Sequence, residues 1–303
     1  MSPALVVLLT GLAAALVAFG LSASRHLHID PFEPADEERA ARRSLWRHPR
    51  IARFLRERMD RRTAGGFLLT ASIIVLFVVS IFVGVLLDMI DNHSGLAAAD
   101  RSVASWGSRN GSSTTAQMMK WVTQLGSTPA IAAALLVTSI VDYLRRHSRE
   151  VFAFVAAVGV GEFLLNNLLK VIVHRERPSV LRLVAAHGYS FPSGHTVAAT
   201  SGWLAIALIL GRDRSRTTRA LLSGAAALIA VSVAASRALL GVHWLTDVLA
   251  GLVIGGGWFM IVAIVFGGRA QRLGDPVSGP SQRERRPPAI AAGSRTPASS
   301  PGP

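Results

Sequence analysis

Seven apolar stretches in this chain are long enough, or nearly long enough, to cross a lipid bilayer as helices. They lie at 4–22, 66–88, 119–141, 151–173, 195–211, 219–238 and 246–267. A spanning helix needs about 20 mostly apolar residues, because the hydrocarbon contains no water to pair free backbone groups. Half of the 303 residues are hydrophobic and the mean hydropathy is +0.41, which is too apolar for a water-soluble domain of this length. The sequence therefore predicts an all-α fold, a polytopic membrane helical bundle.

The basic residues are clustered between the apolar stretches. The formal net charge is +14, but no folded basic face with base-reading elements is apparent, so the sequence does not indicate a nucleic-acid-binding protein. Clusters of Arg between spans are typical of cytoplasmic loops and of contact with anionic lipids. The Arg-rich parts are 25–63, 143–150, 211–219 and the chain after 267.

Placing these Arg-rich parts in the cytoplasm predicts the topology. The N-terminus and the connections at 89–118, 174–194 and 239–245 then face the extracytoplasmic side of the cell membrane. Arg175, Arg177 and Arg182 oppose this assignment locally, and an anion site at that position would explain them.

We divide the chain into a six-helix membrane domain at 66–267 and three flanking parts. Residues 1–24 are predicted to form an extra transmembrane helix, since the first apolar stretch lacks the basic start and cleavage site of a signal peptide. Residues 25–65 are predicted to be a basic cytoplasmic segment, and residues 268–303 a disordered basic cytoplasmic tail. Within the basic segment, residues 49–62 fit either a helix on the membrane surface or a solvated linker.

The residue types exclude several kinds of chemistry. The chain has no cysteine, so it has no disulfide, no catalytic thiol and no Cys-ligated metal. No cluster of Asp, Glu and His suggests a metal site, and we predict no metal and no cofactor. Of the polar residues within spans, Glu162 lies near the middle of the fourth, where we expect a contact between helices rather than a catalytic role.

The first of three polar motifs, KVIVHRERP at residues 170–178, closes the fourth apolar stretch. Lys170 and Arg177 are seven residues apart, so two helical turns would bring them to one side before Pro178 ends the helix. Two cations near one point can bind two oxygens of a phosphate. Taken alone, the motif is better explained by two side chains that reach from the helix end to the membrane interface.

The second motif, FPSGHT at residues 191–196, precedes the fifth apolar stretch. Ser193 and Gly194 therefore lie near a helix N-terminus, where free backbone N–H groups bind anions and Gly allows close approach. His195 follows directly and faces the same space. By itself this motif could equally be an ordinary helix cap beside an uninvolved histidine.

The third motif, SRALLGVHWLTD at residues 236–247, is the most specific. Arg237 ends one apolar stretch, and His243 and Asp247 are four residues apart at the start of the last one, so they share a helix face. A carboxylate that accepts one imidazole N–H fixes the tautomer and leaves the other nitrogen free as a nucleophile.

Together the three motifs, Lys-x6-Arg-Pro, Pro-Ser-Gly-His and Ser-Arg-x5-His-x3-Asp, resemble the three-part signature of the type 2 phosphatidic acid phosphatase family. Its superfamily also includes vanadium haloperoxidases. The resemblance covers roughly 66–267 and matches every position of the signature. It implies a six-helix membrane core and a metal-independent phosphatase.

The resemblance also implies a role for each signature residue. His243 would be the nucleophile that forms a phosphohistidine, Asp247 would orient it, and His195 would be the general acid and base. The phosphoryl oxygens would be bound by the remaining residues: Lys170, Arg177, Ser193, Gly194 and Arg237.

The expected partner is a lipid phosphate in the membrane, and the expected activity is hydrolysis of a lipid phosphomonoester or diphosphate. Candidate lipids are phosphatidic acid, diacylglycerol pyrophosphate, phosphatidylglycerophosphate and polyprenyl phosphates or diphosphates such as undecaprenyl diphosphate. Two alternatives stay open: a phosphotransferase that uses the same phosphohistidine, and a transporter that only binds phosphate. The apolar spans argue against a haloperoxidase. The sequence indicates neither the exact lipid nor the oligomeric state.

Overall fold

The structure, a computed structural model, describes residues 2–23, 64–180 and 182–270. Its helices are α1 (Pro3–Ala23), α2 (Ala64–Asp91), α3 (Gly95–Ala98), α4 (Asp100–Asn110), α5 (Ser113–Gln124), α6 (Thr128–Arg146), α7 (Glu150–Val173), α8 (Gly194–Gly211), α9 (Arg216–Leu239) and α10 (Leu245–Ala270). The described part contains no strand. The predicted basic segment and nearly all of the predicted tail lie outside the described residues.

Seven of these helices are long and apolar enough to cross a membrane: α1, α2 and α6 to α10. The prediction of an all-α membrane bundle, with six core helices and one further helix at the N-terminus, is confirmed. Helix α2 is apolar all round, and its Ile73, Phe77 and Val78 side chains are largely exposed, as expected for a helix that faces lipid.

Helix α8 lies at the centre of the bundle and contacts α6, α7, α9 and α10. Its sequence explains this position, because small residues such as Ala198, Ala199, Gly202 and Ala205 let neighbouring helices approach closely. Two thirds of α8 is buried, a larger share than in any other described span. Phe154 and Val158 of α7 and Ile131 and Leu135 of α6 pack into the same core.

Helix α1 packs along α9 through small residues. A Cβ atom at Gly224 of α9 would lie 3.1 Å from the carbonyl oxygen of Ala15, and Gly11 of α1 lies equally close to α9. Val7, near the start of α1, is buried against Leu240.

The spans alternate in direction, so the three motifs meet at one end of the bundle, here called the motif end. This end comprises the ends of α7 and α9 and the starts of α8 and α10. Two backbone hydrogen bonds connect its loops: Ser193 N–H donates to the Asp247 carbonyl at 3.2 Å, and Leu183 N–H donates to the Leu240 carbonyl at 3.1 Å. The start of α1 lies at the same end.

The opposite end is held by an ion-pair network of two Arg and two Asp side chains. Asp142 accepts hydrogen bonds from Arg146 at 2.9 Å and from Arg212 at 3.0 Å, and Arg146 also pairs with Asp213. The network joins the end of α6 to the loop after α8.

One predicted span differs from the structure. The third was predicted at 119–141, but the chain breaks there into α5 and α6, and the span is Thr128–Arg146. Pro129 lies in the first turn of α6, where a missing N–H costs no hydrogen bond. Gly126, in the turn between the two helices, lies against the start of α8, where a Cβ would be 2.5 Å from the His195 carbonyl oxygen.

This close approach predicts that Gly126→Ala lowers the stability of the bundle. The added methyl group would meet backbone that cannot move without shifting α8, so we expect a loss of about 1–3 kcal/mol. Thermal unfolding in detergent measures it. Gly84→Ala is the control, since a Cβ there meets no atom within 4 Å and replacing Gly by Ala favours a helix. Equal unfolding temperatures for the two variants would contradict the prediction.

Candidate active site

The motif end brings all eight predicted site residues into one region. Lys170 comes from the end of α7 and Arg177 from the loop that follows it. Ser193, Gly194 and His195 form the start of α8. Arg237 comes from the last turn of α9, and His243 and Asp247 flank the start of α10. His195 lies within electrostatic reach of the four others that carry or can carry positive charge: Lys170, Arg177, Arg237 and His243.

His243 and Asp247 are almost completely buried, with exposed fractions of 2% and 0%. His243 Nδ1 lies 3.5 Å from Asp247 Oδ2, and Nδ1 has no hydrogen-bond partner among the described residues. This distance is longer than a formed N–H···O hydrogen bond. The same Oδ2 accepts the Trp244 backbone N–H at 2.9 Å. The carboxylate is thus held facing the imidazole.

The other nitrogen of His243 faces a guanidinium group. Arg177 Nη1 lies 3.2 Å from His243 Nε2. Because a guanidinium can only donate, we assign the lone pair to Nε2 and the ring proton to Nδ1, on the side of Asp247. This is the tautomer that a nucleophilic Nε2 requires.

Burial keeps His243 in its neutral form. Loss of hydration lowers the pKa of His243 to about 4, and the positive charges of Arg237 and Arg177 act in the same direction. The negative charge of Asp247 close to the ring offsets part of this effect. The imidazole is therefore an unprotonated base at neutral pH.

The FPSGH turn presents backbone donors to the same space. Helix α8 begins at Gly194, and the N–H groups of Gly194 and His195 have no acceptor among the described residues, whereas those of Thr196 and Val197 donate to the Ser193 carbonyl. The turn is fixed by its neighbours, because Ser193 Oγ accepts a hydrogen bond from Thr196 at 3.0 Å. A Cβ at Gly194 would lie 3.0 Å from the side-chain nitrogen of Asn166 in α7. Gly at this position thus allows α7 and α8 to approach closely.

The three predicted phosphate-binding cations are held mainly by neutral groups. Lys170 Nζ donates to the carbonyl oxygens of Tyr189 and Pro192, both at 3.0 Å. Arg177 donates to four carbonyl groups, of Val242, Gly188, His187 and Tyr189. These contacts satisfy the donors without neutralising their charge.

Arg237 is the least satisfied of the three cations. Its exposed fraction is 6%, and among the described residues it makes one long hydrogen bond, 3.4 Å from Nη1 to Thr123 Oγ1. Its Nε has no partner among the described residues. A buried guanidinium with spare donors is a ready partner for an anion.

Sequence reasoning missed a second layer of residues around Asp247. Arg175 Nη1 donates to Asp247 Oδ1 at 2.6 Å, and Nη2 donates to Asp100 at 2.7 Å. Thr246 is hydrogen-bonded to both Arg175 and Asp100. The topology argument noticed Arg175 only as a charge on the wrong side of the membrane. The sequence gives no indication of a role for Asp100, because it lies 70 residues or more from its hydrogen-bond partners along the chain.

The described part of the chain contains no group of three or more His, Asp and Glu side chains that could hold a metal ion. Glu162 and Asn166 lie on the buried face of α7, with exposed fractions of 5% and 7%. Their burial fits the expectation that they contact other helices.

Comparison with known proteins relates this geometry to a family. A family model described as the PAP2 superfamily matches residues 150–270, which contain all three motifs. Phosphatidylglycerophosphatase B of Bacillus subtilis is 30% identical over 141 residues, which are 46% of this chain and 69% of that protein. Lipid A 1-phosphatase of Rhizobium etli is 31% identical over 124 residues, which are 38% of this chain and 50% of that protein.

A solved structure has a similar fold. The crystal structure of a transmembrane PAP2-type phosphatidylglycerolphosphate phosphatase from Bacillus subtilis superimposes with a TM-score of 0.58 at 25% identity, covering 65% of this chain and 96% of that one. The relatives' names support a phosphatase, and more narrowly a lipid phosphatase role, for a multi-pass membrane protein. The chain belongs to the PAP2 superfamily, the type 2 phosphatidic acid phosphatase family that its motifs resemble.

Proposed function

We propose that this chain is an integral-membrane lipid phosphatase that works through a phosphohistidine at His243, without a metal, on the extracytoplasmic side. The observation that carries the proposal is the environment of His243. Its Nε2 carries a lone pair and faces Arg177, its Nδ1 faces a buried carboxylate, and the positive charges of Arg177 and Arg237 act on it. This is the arrangement of a nucleophile beside an anion site.

In the proposed first step, the Nε2 lone pair forms a bond to phosphorus while the bond from phosphorus to the leaving oxygen breaks. His195, in its protonated form, gives its proton to that oxygen. Asp247 stabilises the positive charge that develops on the imidazole of His243. Lys170, Arg177 and Arg237 stabilise the negative charge on the phosphoryl oxygens.

In the second step, water attacks the phosphohistidine. His195 takes a proton from the water, the nitrogen–phosphorus bond breaks, and the electron pair returns to Nε2. Phosphate leaves and the site is restored. Every group needed for both steps is present in the described residues, and none of the steps calls for a metal ion.

The substrate class follows from the surroundings of the site. The motif end lies where seven apolar helices meet polar loops, so a headgroup can reach the cations while its acyl or prenyl chains stay in the bilayer. The relatives, named for phosphatidylglycerophosphate and lipid A phosphatase activities, support a phosphate on a lipid. We propose a phosphomonoester or diphosphate of phosphatidic acid, phosphatidylglycerophosphate or polyprenyl type.

The purified full chain should release phosphate from at least one of these lipids in detergent, in the presence of a metal chelator. We expect His243→Ala to lower the rate by about 10³-fold or more, because it removes the nucleophile. His93→Asn is the matched control, since His93 is exposed and has a positive φ that Asn tolerates. Phosphate release by colorimetric assay measures the rates.

Other outcomes assign the alternatives. Loss of activity in chelator, restored by a divalent ion, would overturn the metal-independent mechanism. Transfer of the phosphoryl group to an acceptor alcohol, without release of phosphate, would identify a phosphotransferase. No turnover of any lipid, together with lipid or phosphate transport that survives His243→Ala, would identify a transporter.

The pKa of His243 predicts the pH dependence. The nucleophile is lost only when pH falls through the pKa of the folded protein, about 4, and not near the ordinary value of about 6.5. We expect the acid limb of kcat/KM that belongs to His243 to lie near pH 4, after correction for the ionisation of the substrate phosphate. Initial rates between about pH 3.5 and 8 measure it. A limb that remains near 6.5 after the correction would contradict the prediction.

The topology predicts which loops can be reached from outside the cell. The chain contains no native cysteine, so a single cysteine can be placed at will. With His187→Cys, in the exposed loop before α8, a membrane-impermeant thiol reagent should label intact cells. With Arg149→Cys, in the loop between α6 and α7, labelling should need permeabilisation. The reverse pattern would place the motif end in the cytoplasm.

A further inference from the structure

We propose that Arg175 and Asp100 are positioning residues of the reaction, which fix the Asp247 carboxylate and set how much negative charge it presents to His243. Thr246 joins the two. Asp100 lies outside the three motifs, and Arg175 is one of the unspecified positions between Lys170 and Arg177 in the first motif. The inference rests on the proposed role of His243 as the nucleophile.

Arg175 fixes which oxygen of Asp247 serves His243. Its Nη1 donates to Oδ1 at 2.6 Å, so Oδ1 faces the guanidinium and Oδ2 is left for Trp244 N–H and the imidazole. The Arg175 guanidinium also lies 5.4 Å from the centre of the Trp244 ring, which restricts its position further. A rotation of the carboxylate would break the contact with Arg175.

Asp100 fixes Arg175 in turn. Its Oδ2 accepts from Arg175 Nη2 at 2.7 Å and from Thr246 Oγ1 at 2.7 Å, and its Oδ1 accepts the Thr246 backbone N–H at 2.9 Å. Thr246 Oγ1 also accepts from Arg175 Nη1 at 2.7 Å. Arg175, Asp100 and Thr246 thus form a closed ring of hydrogen bonds against the first turn of α10.

The ring connects the site to a part of the chain outside the membrane spans. Asp100 is the first residue of α4, and its exposed fraction is 3%. Helix α4 also touches the end of α9, because Gly107 lies so close that a Cβ would be 2.4 Å from the Leu239 carbonyl oxygen. Helix α4 therefore contacts both α9, which carries Arg237, and the residues of the ring that bind Asp247.

The charges explain why both partners are needed. A lone Arg175 paired with Asp247 would cancel the negative charge that stabilises an imidazolium at His243. Asp100 shares the guanidinium, so one negative charge remains over the ring and Asp247 together. Arg175 then holds the Asp247 carboxylate in position, while the negative charge that stabilises an imidazolium at His243 is retained.

Other charged groups face the pair from several elements. Arg177 and Arg237 act on His243, and Lys170 and Arg177 act on Asp247. His195 lies within electrostatic reach of His243. These groups remain unchanged in variants of Arg175 and Asp100, so a change in pH dependence between variants reports on the ring.

The test is the acid limb of kcat/KM for variants of the full chain, with phosphatidic acid or phosphatidylglycerophosphate in detergent micelles, whichever the wild type hydrolyses faster. Arg175→Gln leaves Asp247 more negative, which favours protonation of His243, so the limb should move up by on the order of one pH unit. In Asp100→Asn, Arg175 pairs with Asp247 only and neutralises more of its charge. The acid limb should therefore lie at the same pH as in the wild type or lower. Both should lower kcat by about 10²-fold through misplacement.

Combination and conservative variants separate charge from geometry. The double variant Asp100→Asn with Arg175→Gln removes one charge of each sign, so its limb should return to that of the wild type while kcat stays low. Arg175→Lys keeps the charge but cannot bridge both carboxylates, so it should lower kcat without moving the limb. Arg101→Gln and Asp91→Asn remove exposed charges of the same signs and should behave as the wild type.

Two variants of Thr246, which change no charge, keep the test informative if a variant of Arg175 or Asp100 does not fold. Thr246→Val removes the bridging hydroxyl and should lower kcat several-fold, and Thr246→Ser should restore it. Two results would overturn the inference. The variants of Arg175 and Asp100 could match the two control variants, or they could lose activity without an acid limb that moves up in Arg175→Gln and does not move up in Asp100→Asn. A wild-type protein that hydrolyses no lipid phosphate would instead overturn the proposed function.

Discussion

A fully buried carboxylate, Asp247, organises the end of the bundle where the motifs meet. Removing a charge from water is costly unless hydrogen bonds and an opposite charge replace the lost hydration. Asp247 obtains them from the Arg175 guanidinium and the Trp244 backbone N–H, with the His243 ring alongside. These groups come from the loop after α7 and the start of α10. The need to compensate one charge therefore fixes how the third motif and the loop of the first lie against each other.

The cations at this end follow a different rule from those at the opposite end. Arg146 and Arg212 are paired with Asp142 and Asp213, so the charges within this network are balanced. Lys170 and Arg177 are held by backbone carbonyl groups, which orient a donor and leave its charge in place. The ion-pair network and these two cations therefore differ in how their charges are compensated. An anion is attracted to cations that carbonyl groups hold, because their positive charge remains.

The sequence was sufficient for the features that depend on local pattern. The hydropathy located six of the seven spans to within a few residues, because each is a long apolar run between polar loops. The third span was misplaced, although Pro129 in the first turn of α6 is a local signal for a helix start. The close approach of Gly126 to His195 is visible only in the fold, because the two residues lie far apart in sequence. The eight motif residues share one region as predicted, and their roles remain predictions. Arg175 and Asp100 could not be found, because their meaning comes only from partners that the fold supplies.

The carbonyl groups that hold Lys170 and Arg177 have a consequence for selectivity. Tyr189, Pro192, His187 and Gly188 belong to the loop between α7 and α8, and their oxygens occupy the donors that a phosphate would use. In the proposed site, a headgroup that binds Arg177 would replace such oxygens with its own, so recognition would be an exchange of one set of oxygen ligands for another. The affinity for a lipid then measures how far its phosphate outcompetes the loop, and loop sequence becomes a determinant of headgroup preference even where no loop side chain touches the lipid.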